Sequence, residues 1–207
     1  MKPITFLFAL SAVLVLTWGA LPSGAPSDAV AAGPAALGAP APGFTLPDTE
    51  GQKVSLSSLQ GKTVVLEWFN ADCPFVKYAH GKAGPLRSQP DRVMSDKVVW
   101  LAVNSSAPGK QGSGLERNRK AREEYQMSYP VLLDPDGTVG RLYGAKTTPH
   151  MFVIDPAGVL VYSGGLDGAP MGNGNRTNHV DACLTDLAAG GEVRKPSTKP
   201  YGCSVKY

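Results

Sequence analysis

The side chain best placed for chemistry is Cys73. It follows the apolar run Thr63-Val64-Val65-Leu66-Glu67-Trp68-Phe69 by three residues and precedes Pro74. Proline suits the first position of a helix, so Cys73 is expected where a buried strand gives way to a helix. Such a position lies beyond a strand's carboxyl end, where α/β sheets hold ligands. A thiol there feels the positive end of the helix dipole, which favours the thiolate, the form that attacks disulfides and binds metals. The competing reading is a small buried hydrophobe. His150, next to Pro149, and His80, seven residues after Cys73, are the imidazoles within reach of the thiol in sequence. Either could activate it or join it on a soft ion such as Cu(I). No C-x-x-C, C-x-x-x-C or H-x-x-x-H spacing accompanies them, so no resident metal or cofactor is predicted. His179 reads as a surface residue.

The elements that must hold Cys73 are legible around it. Lys97–Val103 reads as a second buried strand, and shorter strands are expected at 129–133, 151–154 and 159–162. The segment Leu115–Met127 is charged and helical. Asp134-Pro135-Asp136-Gly137 and Asp155-Pro156-Ala157-Gly158 are turn sequences. A last helix is expected over about 176–189, with Val180, Cys183, Leu184 and Leu187 on one face, which makes Cys183 core. The polar loop Asn104–Gly112 is expected to border the cleft, without the spacing of a phosphate-binding loop. Alternating strands and helices predict an α/β domain around a central sheet.

The chain ends have different chemistry. Lys2 followed by the apolar Ile4–Trp18 and by Ala29-Val30-Ala31 describes a secretory signal over residues 1–31, or an uncleaved anchor. Either implies export, to the periplasm or the medium, where disulfides persist. Residues 19–43 contain 19 Gly, Ala or Pro among 25, so 32–43 reads as a linker and the domain as 44–191. The tail, 192–207, carries Arg194, Lys195, Lys199 and Lys206 against Glu192, which accounts for the whole net charge of +3. A body without net charge makes nucleic acid an unsuitable partner. A chain of 207 residues with 43% hydrophobic content can bury a substantial core, which excludes wholesale disorder. Three cysteines are too few to staple it.

The segment LGAPAPGFTLPDTEGQKVSLSSLQGKTVVLEWFNADCPF resembles the opening of the redoxins, the thioredoxin-like and peroxiredoxin-like superfamily. Thr147-Thr148-Pro149-His150-Met151-Phe152-Val153-Ile154-Asp155 resembles its cis-proline loop and following strand. The ending PYGCSVKY is similar to that of a single-cysteine group of the alkyl hydroperoxide reductase and thiol-specific antioxidant type. The resemblance implies a thioredoxin-like fold, a central mixed sheet flanked by helices with an N-terminal β-hairpin. It implies that Cys73 takes the first position of the dithiol motif, with Val76 at the second. The peroxiredoxin pattern P-x-x-x-T-x-x-C would need Pro at Phe69, Thr at Cys73 and Cys at Val76, so that peroxide site is absent.

By the same resemblance Glu67 is a candidate general base, against the alternative of a strand-end glutamate reaching solvent or a lysine. Pro149 is expected in the cis form, and the Thr148 backbone is expected to pair with a substrate strand. Cys203 either folds back to resolve Cys73 through a disulfide, or stays an unpaired or intermolecular thiol on a loose tail. The leading expectation is an exported thiol-disulfide oxidoreductase or antioxidant-type redoxin. Its catalytic residues would be Cys73, Cys203 and Glu67, with Thr148 and Pro149 binding substrate and Pro74 and His150 auxiliary. Its partners would be protein or small-molecule thiols and disulfides, with peroxide a further candidate, and membrane contact only through an uncleaved N-terminus. The alternatives are a copper-binding or assembly chaperone using Cys73, Cys203 and His150, or a redox-inactive binding module.

Overall fold

The computed structural model describes Met1 and residues 33–207. The expected leader, residues 1–31, lies outside the described residues apart from Met1. Among the described residues, no helix is long and apolar enough to cross a membrane.

A hairpin of β1 (Thr45–Pro47) and β2 (Lys53–Ser55) leads into β3 (Thr63–Trp68), all six of whose residues are buried. Val, Leu and Trp on both faces of β3 suit a strand covered on two sides. After β3 come α1 (Pro74–His80), α2 (Gln89–Val93), β4 (Val98–Asn104) and α3 (Leu115–Glu124). Then follow β5 (Val131–Leu133), α4 (Thr138–Leu142), β6 (Thr147–Thr148), β7 (His150–Ile154) and β8 (Leu160–Gly164). A small hairpin of β9 (Asp167–Gly168) and β10 (Asn175–Asn178) precedes α5 (His179–Ala188), and the chain ends with β11 (Cys203–Ser204). The central sheet has the order β5-β4-β3-β7-β8, with β4 parallel to β3 and β5, and β7 antiparallel to β3 and β8. This is the expected thioredoxin-like mixed sheet, with its N-terminal hairpin in place.

Period-two alternation splits the core into two layers. Val65, Phe69, Met151 and Val153 face a cluster closed by Val76 and Ala79 of α1, Ala121 of α3, and Val180 and Cys183 of α5. Val64, Leu66, Trp68, Phe152 and Ile154 face the opposite layer, closed by Val139 and Tyr143 near α4 and by Phe44 and Leu46 of the hairpin.

Several boundaries differ from the sequence reading. Residues assigned to the linker are hydrogen-bonded into the fold: Ala35 N–H to Leu142 O, Gly38 N–H to Leu160 O and Ala41 N–H to Gly158 O. Ordered structure therefore starts ahead of Phe44. Apolar periodicity misses this stretch because its pairing is backbone pairing along the edge of β8. The last helix starts at His179 rather than near 176, because the Asn178 side chain caps it by accepting from Asp181 N–H. α4 follows the expected turn at 134–137, in a stretch to which the sequence reading assigns no element: the buried Asp134 carboxylate accepts the N–H groups of Val139 and Gly140 and starts the helix.

Candidate active site

Cys73 caps α1, and the loop carrying it is held from three sides. Asn70 Oδ1 accepts Asp72 N–H, and Asn70 Nδ2 donates to Ser106 Oγ and Gln111 O. Arg117 of α3 donates from Nε and Nη2 to Asp72 Oδ1 and from Nη2 to Ala71 O, which also accepts from the Tyr125 hydroxyl. The loop after β4 thus borders the cysteine, as expected. The anchoring arginine was missed, because within a charged helix nothing distinguishes it from its neighbours.

The Thr148–Pro149 peptide is cis. Cys73 Sγ lies 3.0 Å from Thr148 O, so the cis-proline loop faces the thiol. The strand that pairs with this loop is the protein's own tail: β11 runs antiparallel to β6, with Cys203 opposite Thr148 and Ser204 opposite Thr147. That register brings Cys203 Sγ to 2.8 Å from Cys73 Sγ. Gly202 makes the approach possible. Its φ is +128°, and a Cβ there would sit 2.0 Å from Thr148 O.

The two sulfurs are electrostatically unequal. Burial pushes the Cys73 thiol up, but the Cys203 thiol and the Val76 backbone N–H favour its anion. Together they hold it below the usual thiol value. The Thr148 carbonyl opposes them, since an acceptor favours the protonated thiol. Cys203 is pushed up to about 11, by partial burial and by the anionic form of Cys73 beside it, with Lys206 pulling the other way. Of the two thiols, Cys73 is therefore the more readily ionised. Cys73 is fully buried, whereas Cys203 is partly exposed.

Glu67 neither reaches solvent nor meets a lysine. It is wholly buried, with Oε1 2.8 Å from His80 Nε2 and Oε2 accepting from Trp100 Nε1 at 3.3 Å and the Tyr129 hydroxyl at 3.2 Å. Its place between Val65 and Phe69 puts it on the Cys73 side of the sheet, but its hydrogen bonds go to this trio. The Tyr129 hydroxyl is pushed well up by burial and by the Glu67 charge. His80 is engaged by Glu67 and stacks on Tyr125, with ring centroids 5.2 Å apart.

His150 does not approach Cys73. It shares a sheet face with Phe152 and Ile154, opposite the Cys73 layer. Its Nδ1 accepts Lys146 N–H, and its Nε2 lies 3.3 Å from Ser163 Oγ. Burial lowers it to about 4, with the Lys146 charge adding to the effect, so it is a neutral structural residue near pH 7. With both its nitrogens engaged, it cannot complete the copper set Cys73, Cys203 and His150. Among the described residues, no group of three or more His, Cys, Asp or Glu is gathered as a metal site. Pro74 occupies the first turn of α1, as expected. Cys183 is buried in the core, its thiol pushed up to about 12 by burial and by Asp186.

The thiol-disulfide oxidoreductase ResA of Bacillus subtilis is 33% identical over 125 residues, which cover 60% of this chain and 64% of that protein. The chain thus spans somewhat less than two thirds of that relative. The chloroplastic peroxiredoxin Q of Oryza sativa subsp. japonica is 25% identical over 150 residues, covering 69% of this chain and 65% of that protein. An uncharacterized conserved protein from Geobacillus kaustophilus superposes with a TM-score of 0.74 at 29% identity, covering 83% of this chain and 92% of its own. The model of the AhpC/TSA family matches residues 37–163, more than half of the sequence. The chain therefore belongs to the AhpC/TSA family, within the thioredoxin-like redoxins.

Proposed function

We propose that this protein is an exported thiol-disulfide oxidoreductase whose redox centre is the pair Cys73 and Cys203. Cys73 supplies the thiolate that attacks a disulfide or another oxidised sulfur. Cys203 then attacks the mixed sulfur adduct, releases the reduced substrate and closes a Cys73–Cys203 disulfide. One observation carries the reading: the sulfurs stand 2.8 Å apart across the cis-proline loop. Unequal acidity supports the division of labour, since the more acidic thiol holds the thiolate near neutrality. Similarity to ResA, a thiol-disulfide oxidoreductase, points the same way. Export is supported by the basic and apolar N-terminus with its A-x-A sequence. Glu67, held by His80, Trp100 and Tyr129, acts as a buried acid on the Cys73 side of the sheet.

The test is reduction of a model disulfide by the full chain and by Cys73→Ser. Loss of turnover by about two orders of magnitude or more is expected when the attacking thiolate is removed. Unchanged turnover in Cys73→Ser would discard the assignment.

A further inference from the structure

The tail is fastened along its length. The Pro196 carbonyl accepts Ser163 N–H, and Thr198 N–H donates to Ser163 O. Thr198 Oγ1 accepts Gly165 N–H at 2.9 Å and lies 2.6 Å from the Tyr162 hydroxyl. The strand closes against Gly164, where a Cβ would stand 2.2 Å from Thr198 Oγ1. The Tyr201 hydroxyl donates to Asp167. Beyond Cys203, Val205 N–H donates to Lys146 O, and the Lys206 carbonyl accepts Ala107 N–H. Tyr207 donates to Ala145 O and lies under the Arg141 guanidinium, 4.3 Å from the ring centroid. Contacts this numerous, spread over twelve residues, make the tail part of the fold.

We propose that the tail stays seated while the Cys73–Cys203 disulfide is reduced and fills the strand-pairing edge of the cis-proline loop, so that reducing equivalents enter from a low-molecular-weight thiol attacking Cys203; attack of Cys73 on a substrate disulfide is the step in which the tail lifts from that edge. The inference rests on the thiol-disulfide reading. Three observations carry it. The edge of Thr147–Thr148, where an extended polypeptide would add itself as a strand, is already paired with Cys203–Ser204. With the tail seated Cys73 is fully buried, so its sulfur offers no surface to an external thiol. Cys203 is the partly exposed member of the pair.

The chemistry balances without any further reactant. An external thiolate attacks Cys203 Sγ of the Cys73–Cys203 disulfide; a new sulfur–sulfur bond forms to Cys203, and the old one breaks. The electron pair of the broken bond leaves on Cys73, the better leaving group because its anion is the more stabilised. A second external thiolate attacks the mixed disulfide, releasing the external disulfide and Cys203, which takes up a proton. Two thiols are oxidised to one disulfide, and the pair is reduced to its dithiol.

The experiment reduces the oxidised full chain with glutathione, or with an extended twelve-residue peptide bearing one cysteine of matched acidity. Acid-quenched samples are mapped by mass spectrometry. The expected result is a glutathione adduct on Cys203 and reduction about tenfold or more faster by glutathione than by the peptide. Loosening the tail with Tyr207→Ala, or independently with Thr198→Ala, should narrow that gap. Equal rates for the two thiols in the unaltered protein, or an adduct predominantly on Cys73, would overturn the proposal. Absence of any Cys73–Cys203 crosslink in the oxidised starting protein would instead remove the underlying reading.

Discussion

Cys73 and Cys183 lie in one hydrophobic layer and are equally buried, 0% and 1% exposed, yet their thiols are driven in opposite directions. Burial raises both. Around Cys183 the only other influence is the Asp186 carboxylate, which raises it further. Around Cys73 the Cys203 thiol and the Val76 N–H reverse the effect of burial. Exposure therefore does not distinguish a reactive cysteine from core filler in this fold. What distinguishes them is whether hydrogen-bonding groups reach the sulfur, and here the principal partner comes from 130 residues away along the chain.

The largest effect is expected of Cys73→Ser, whose disulfide turnover should fall by about two orders of magnitude or more. The next is Cys203→Ala, which removes the principal partner of Cys73. Followed by thiolate absorbance against pH, the Cys73 transition should move to higher pH, so less thiolate is present near neutrality. An unmoved transition would mean that the Val76 contact alone holds the anion. The smallest effect is Cys183→Ser, which places a hydroxyl among apolar neighbours. It should cost about 1–3 kcal/mol in a urea melt, as expected for a buried group without a partner. Disulfide turnover should be unchanged. Lost turnover with full stability would give Cys183 a role that its surroundings do not suggest.

The sequence makes plain the parts that depend on local pattern. The apolar runs give β3, β4 and β7, Pro74 marks the start of α1, and the stripe Val180, Cys183, Leu184 and Leu187 gives α5. The position of Cys73 between a buried strand and a helix follows from the same signals. The seat of Cys203 does not. Residues 200–207 carry neither period-two nor helical patterning, and β11 forms only because the edge of Thr147–Thr148 is there to receive it. The need for glycine at Gly202 comes from the close approach of Thr148 O, which is distant in sequence. His150 illustrates the reverse case. Adjacent to Pro149 in sequence, it is turned to the opposite sheet face by strand alternation, and its neighbours there are Phe152 and Ser163. Glu67 is intermediate: its burial in β3 follows from the surrounding apolar residues, but its three partners come from α1, β4 and the segment before β5 and carry no shared motif.

The most direct test of the Cys73–Cys203 centre is the thiol state of each cysteine after mild oxidation of the purified full chain. Free thiols are alkylated under denaturing conditions, and the peptides are then mapped without reduction. The expected result is a single crosslinked peptide pair joining Cys73 to Cys203 within one chain, with Cys183 alkylated. Alkylation of all three cysteines, or Cys203 crosslinked between chains while Cys73 stays free, would contradict it.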